Sequence, residues 1–489
     1  MTASSSAPST EVSPLYHDAK AGGTPDVTLL KQETPTSISE ELPQLIRLAV
    51  PVIFTMVMEV LPSMSSIMMV GQMHTPKLQI YVDAVAFSSM YFNITSMAAV
   101  GGLATALDTL CTQAFGAGQT AKFGVYLMSS LLGLFLVLIP VSLLNIFSGE
   151  ILVFLGQDTT IAAYSKWFLI YSSLGLPGYC VYNVLKKMLQ AHNIVHPMAY
   201  MSILCNVIHI GLGYYLTNYT SLELYGPAVS RSVAYTSLAF MMIAYLAWNP
   251  VYKSWHLHWN FAEAQGHLMQ FFKFGVPGML MLMVEWAAFE ILALFSGLMD
   301  DHVLTIGVNS ILMNLLSFVY MPFAGNSISV NIRIGNLLGA YKPESAKIVM
   351  HTGFVLTVLM VFVMAALLVL GRHVIPIFFI NDPAVAERTA SAVLYIVVLQ
   401  MSDAFNACCQ GVLRATGQQD VGTYINTGAY YLVGIPMACV CGFTLHGSVE
   451  GLWLGFTAGS ITAFALFLWM LLRIDWKQMA KDAVARVQE

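Results

Sequence analysis

Four carboxyl residues stand where a carboxyl is costly. Glu59, Glu285, Glu290 and Asp403 each lie inside a long run of apolar residues. If those runs cross a bilayer, their centres fall near positions 58, 284 and 401. A helix rises about 1.5 Å per residue, which puts Glu59, Glu285 and Asp403 within about 3 Å of the midplane. A carboxylate there costs about 2.5–3.5 kcal/mol on insertion scales. Removal from water disfavours the charged form, so such a group can take up a proton near neutral pH, and when ionised it can hold a cation. The competing reading is a carboxyl kept neutral by a hydrogen bond between helices; for Glu59 it stands level with the functional one. Other chemistry finds no residues. The chain has no GxxxxGK[ST] phosphate loop and no HExxH. Its seven cysteines lie in or beside apolar segments without CxxC or Cys/His spacing and read as packing thiols. Nothing calls for a catalytic set, a metal, a cofactor or a nucleic acid.

The elements that position these carboxyls follow from composition. Of 489 residues, 57% are hydrophobic and 10% charged, with a mean hydropathy of +0.70. A soluble domain carries about 25% charged residues. Phe123–Phe147 and Met350–Leu370 contain no charge, and each is about the twenty residues that cross roughly 30 Å of hydrocarbon. Twelve such segments are expected, near 44–71, 84–112, 123–147, 162–185, 197–217, 228–248, 270–298, 303–330, 347–371, 389–413, 422–445 and 449–472. The fold class is therefore an all-α membrane protein. The expected organisation is a disordered cytosolic tail rich in Ser, Thr and Pro (1–40), a first lobe (41–248), a cytosolic linker (249–269), a second lobe (270–473) and a cytosolic C-terminal tail (474–489). With the N-terminus cytosolic, five of the 21 Lys and Arg (Lys77, Lys166, Arg231, Arg372 and Arg388) fall outside and the other sixteen inside, as the positive-inside rule requires. Asp300, Asp301 and Asp382 then fall outside, as does the sequon at Asn218. His192, His196, His256, His258 and His267 read as solvated residues of inner loops. His209 and His351, near helix interiors, read as packed or hydrogen-bonded.

The two halves repeat. Leu48-Ala49-Val50-Pro51 matches Phe274-Gly275-Val276-Pro277 at an offset of 226, Gln113–Ala117 matches Asn336–Ala340 at 223, and Leu189-Gln190-Ala191 matches Leu413-Arg414-Ala415 at 224. Six helices per half is an even number, so both halves enter from the same side and are related by an axis along the membrane normal. The result is twelve transmembrane helices in two pseudo-symmetric six-helix lobes, with a solute site near the midplane. Glu59 maps onto Glu285, so equivalent helices carry a carboxyl at the same depth. Asp108, before the glycine-rich turn that follows the second span, suits an inner gate better than a solute site.

These residues resemble a family. Ala106–Ala117 is similar to the second-helix signature of the multidrug and toxic compound extrusion transporters, with Asp108 where that family usually has Glu. Val284–Glu290 resembles the seventh-span motif of its eukaryotic members. Asn331–Ala340 and Gly411–Gly417 resemble two further signatures, bringing Gln113, Gly116, Arg333, Gly335, Gly339 and Arg414 into gate motifs. The match runs in order over about 40–475. The resemblance implies a V-shaped pair of lobes and antiport of organic cations against H⁺, with Na⁺ as the alternative and a lipid-head-group flippase as the remote one. It implies coupling through Glu285, Glu290 and Asp403, and assigns Glu59 no role. Some bacterial members have Asp where Ser66 stands here. Around the carboxyls, Trp286, Phe289, Tyr91 and Tyr320 are candidates to stack on a cation, and Asn93, Asn309 and Asn314 to line the cavity. The expected protein is a monomer of the plasma or vacuolar membrane with both termini cytosolic.

Overall fold

The computed structural model describes residues 35–257, 260–299, 302–378, 383–445 and 448–488. Most of the expected N-terminal tail, Asp300, Asp301, Asp382 and His258 lie outside them. The apolar runs are helices because, without water, each backbone N–H and C=O has to find its partner within the segment. Among the described residues, eleven are long and apolar enough to cross a membrane. In the first half they are α1 (Ile38–Gly71), α2 (Leu78–Gly116), α3 (Lys122–Ile146), α6 (His196–Tyr219) and α7 (Glu223–Trp248). A pair bent by 48°, α4 (Thr159–Ser173) and α5 (Leu176–Ala191), makes a twelfth span if counted as one. In the second half they are α8 (Phe261–Ser296), α9 (Gly307–Gly339), α10 (Pro343–Gly371), α11 (Val385–Thr416), α12 (Gln419–Thr444) and α13 (Val449–Leu471). The α4/α5 bend has a local cause: Gly175 N donates to Ser232 Oγ at 3.0 Å, and Pro177 starts α5 without a donor.

Both expected tails contribute helix. The helix α1 begins at Ile38, where Ser37 and Glu40 form a capping box. The C-terminal tail is an amphipathic helix, α14 (Trp476–Gln488), whose Trp476, Ala480, Ala483 and Val487 are buried.

Prolines shape α1 and are answered by neighbours. Pro62 has no N–H for the carbonyl of Met58; Asn206 Nδ2 donates to that carbonyl instead, at 2.9 Å. The carbonyl of Pro62 receives Arg231 at 3.2 Å and faces His209 Nε2 at 3.1 Å. Arg231 is thus not an outer-loop charge. It is buried within α7 and also donates to Ser66 Oγ at 2.8 Å.

Among the described residues, the halves share a core at one end. Leu48, Val52 and Val195 pack with Ile328 and Ile332, and Ala114 and Phe123 share a cluster with Phe271 and Phe274. At the other end, Val70, Tyr81 and Phe168 belong to a cluster of first-half residues, and Leu292, Leu312 and Trp453 to one of second-half residues. The shared end is a seal built twice. Gln113 Nε2 donates to the carbonyl of Ala415 at 2.8 Å, and Asn336 Nδ2 donates to the carbonyl of Ala191 at 3.3 Å. Gln113 and Asn336 are repeat equivalents, and so are Ala191 and Ala415. The glycines obey the same symmetry. A Cβ on Gly116 would strike the backbone of Asn336, and one on Gly339 the backbone of Gln113, so two helices cross at backbone contact where only glycine fits. Asn193 and Gly417, offset by 224, both take a positive φ, 60° and 78°.

Candidate functional site

The helices α8 and α11 bring two of the predicted carboxyls together. Glu285 on α8 is 3% exposed and Asp403 on α11 is 3% exposed. Oε2 of Glu285 accepts from Gln410 Nε2 at 2.9 Å and from Asn426 Nδ2 at 3.3 Å. Asp403 Oδ1 accepts from the hydroxyl of Tyr430 at 3.4 Å. The two carboxyls lie within electrostatic reach of each other, and Tyr320 lies within reach of both. Neither forms an ion pair among the described residues, although Arg414, one turn beyond Gln410, is close enough to interact with Glu285 at longer range. Amide and hydroxyl donors soften a buried charge without cancelling it. The arrangement is therefore short of positive charge among the described residues.

Gln410, Asn426 and Tyr430 were not singled out from the sequence. Gln410 had a signal: it stands three residues before the repeated Leu413-Arg414-Ala415. Asn426 and Tyr430 become visible only when α12 packs beside α8. That stretch of α12 is a π-helix over Thr427–Gly434, and it presents Tyr430 to Asp403 and to the ring of Phe456, stacked at 5.3 Å.

The remaining predicted residues divide. Glu290 is half-buried, more than one turn beyond Glu285, and has no hydrogen-bond or ion-pair partner among the described residues. Phe289 packs against Phe456 at 4.8 Å. Trp286, at 36% exposure, points away from the core. Tyr91 is buried and bonds the carbonyl of Leu144 at 2.8 Å, while Asn93 stands half-buried in the π turn of α2. Asn309 accepts from Trp453 Nε1 at 3.1 Å, and Asn314 bonds its own helix at Ser310. The polar bonds of Tyr91, Asn309 and Asn314 thus go elsewhere than to the carboxyl pair.

The first half differs from what charge counting suggested. Glu59 is an ion pair with Lys186 at 2.8 Å, and Asp108 with Lys187 at 2.7 Å. Both lysines were read as loop charges, but they are buried in α5. Arg333 grips the fully buried Glu41 with two bonds, at 2.8 and 3.1 Å, tying α9 to the start of α1. Thr109 donates to the carbonyl of Arg414 and accepts from Gln419 Nε2 at 2.8 Å. Of the signature residues, Gln113, Gly116, Arg333 and Gly339 therefore join the halves, while Glu285 and its neighbour Asp403 lie within the second half. His192, expected in solvent, is half-buried instead. Its Nε2 lies 3.3 Å from Trp255 Nε1 and its Nδ1 2.9 Å from the carbonyl of Met188. Burial holds its imidazole below the ordinary histidine range. The neutral ring can accept from Trp255, and that support is lost as the pH falls below the ordinary range toward the lowered value.

Comparison with known proteins agrees with this architecture. The MatE family model matches residues 51–215 and again 277–440. "Protein DETOXIFICATION 14" of Arabidopsis thaliana is 31% identical over 422 residues, 86% of each chain. "Multidrug and toxin extrusion protein 1" of Danio rerio is 28% identical over 457 residues, covering 94% of this chain and 76% of that one. The crystal structure of the eukaryotic MATE transporter AtDTX14 superposes with a TM-score of 0.86 at 30% identity, covering 92% of this chain and 99% of the other.

Proposed function

The chain belongs to the MatE family of multidrug and toxin extrusion transporters, and on that premise we propose that it exports organic cations in exchange for protons, with Glu285 and Asp403 as the exchange site. One observation carries the reading. Two buried carboxyls lie within electrostatic reach of each other, with amide and hydroxyl donors but without an ion-pair partner among the described residues. A site so built holds either protons or a cation, and competition between them is what antiport requires. The relatives' names supply the direction, extrusion.

The sealed end is the cytosolic one in this reading, because the linker, α14 and most basic residues belong to it. The arrangement then corresponds to a site reached from outside: a proton enters, neutralises the pair and releases the cation. Opening toward the cytosol requires the twofold seal to part. A pH difference of one unit is worth about 1.4 kcal/mol per proton, so one proton per univalent cation sustains at most about a tenfold gradient per pH unit. The exchange belongs in a membrane that carries a proton gradient, plasma or vacuolar.

The test is efflux of a fluorescent organic cation from proteoliposomes under separately imposed H⁺ and Na⁺ gradients. The proposal expects the H⁺ gradient to drive efflux and the Na⁺ gradient to have no effect. Efflux driven by Na⁺ alone would replace the proton with sodium.

A further inference from the structure

The repeat that relates Glu59 to Glu285 also relates their partners. Glu59 stands eight residues after Pro51, and Glu285 eight after Pro277. Lys186 stands three residues before Leu189, and Gln410 three before Leu413. In the structure Lys186 bonds Glu59 just as Gln410 bonds Glu285. The same pair of positions therefore meets in each half, as Glu–Lys in the first and Glu–Gln in the second. On the same offset Tyr179 occupies the place of Asp403, and Tyr182 that of Asn406.

The first-half copy is complete as a cation site. The ammonium of Lys186 lies 2.8 and 3.1 Å from the two oxygens of Glu59. It also lies over the ring of Tyr182, 5.1 Å from the centroid, where the ring's negative face attracts it. The hydroxyl of Tyr182 donates to Glu59 Oε1 at 3.0 Å and fixes the carboxylate. Tyr179 and Tyr235 continue the aromatic wall, their centroids 4.9 Å apart. A carboxylate and aromatic rings enclosing an ammonium is the chemistry that recognises an organic amine. Here the amine is tethered to the chain.

We propose that the first half contains a latent site for a compact organic ammonium, equivalent to the exchange site of the second half, and that Lys186 is its permanent occupant. The inference rests on the reading of Glu285 as the exchange carboxyl and deepens it. Of two sites inherited with the repeat, one is filled by a built-in cation, and the protein works with the other.

Lys186→Ala removes the three methylenes beyond Cβ and the ammonium, which together amount to propylammonium. Thermal unfolding of the detergent-purified full chain is followed against propylammonium, with the uncharged 1-propanol as control. The proposal expects propylammonium, and not 1-propanol, to stabilise Lys186→Ala. Wild type should not respond through this site, and in Glu59→Gln/Lys186→Ala binding should weaken by roughly two to four orders of magnitude, the scale of a broken buried ion pair. A folded Lys186→Ala chain that responds alike to both additives, or equally with and without Glu59, overturns the inference. If Lys186→Ala is recovered neither with nor without the amine, Lys186→Gln carries the test, since it installs the side chain that the other half already accommodates. Radiolabelled tetraethylammonium bound per chain then rises from one to two if the site is latent and stays at one if it is not. Glu285→Gln separates the two readings. Loss of wild-type cation binding in that variant supports the exchange site whatever Lys186 does, and failure of rescue at Lys186 leaves Glu285 untouched.

Discussion

Replacing Gln113 by Leu removes one of the two equivalent bonds that close the seal. In the closed arrangement the carbonyl of Ala415 loses its donor, and Arg486, which reaches Gln113 Oε1 at 3.3 Å, loses an acceptor. A buried carbonyl without its partner costs roughly 1–3 kcal/mol. Once the halves part, water takes the donor's place, so the cost falls on the closed state alone. The opening equilibrium should rise about 5- to 150-fold. Asn336→Leu removes the symmetry-related bond, but that bond is longer, 3.3 Å to Ala191 and 3.4 Å to Asn193. It belongs at the low end, near fivefold. Hydrogen exchange over 106–116 and 331–339, read by mass spectrometry on the purified chain, measures opening directly. Exchange should accelerate in both segments for either variant, and more for Gln113→Leu. Unchanged protection in either variant would refute the twofold seal, and so would acceleration confined to the mutated helix.

Two further outcomes follow from the same geometry. Asp403→Asn should abolish proton-driven efflux with the protein still inserted, because in the proposed exchange site Asp403 and Glu285 work together; Glu290→Gln, a residue with no hydrogen-bond or ion-pair partner among the described residues, should lower it only mildly in the same proteoliposome assay. Epitopes at the two termini should be reached from the same side, opposite to a tag placed at Asn218; tags on opposite sides would break the even span count.

The carboxyl residues were legible because a charge inside an apolar run announces itself, and their equivalence was legible because the prolines before them repeat. The lysines opposite were not. Hydropathy treats a charge near the end of an apolar segment as the start of a loop, so the fourth span was expected to stop at 185, before Lys186 and Lys187. The helix continues to Ala191 because each lysine finds a carboxylate, and a paired charge can be buried where a lone one cannot. Arg231 fell inside the expected sixth span, 228–248, yet was counted with the outer charges; it is buried on the carbonyl of Pro62 and the hydroxyl of Ser66. The amide shell of Glu285 needed the packing of α12 against α8, which no local pattern encodes. His192 was read as solvated because a histidine beside a turn carries no sign of the tryptophan that arrives from the linker.

The central claim is that protons and solute compete for Glu285 and Asp403. Equilibrium binding of a radiolabelled organic cation to the purified chain, measured from about pH 5 to 8, tests it most directly. Protons and cation exclude one another at the pair, so affinity should fall as the pH falls, by up to about tenfold per pH unit for each proton displaced. In Glu285→Gln that dependence should be lost together with most of the affinity. Affinity that is level across the range in the wild type, or a pH dependence that survives intact in Glu285→Gln, would contradict the account.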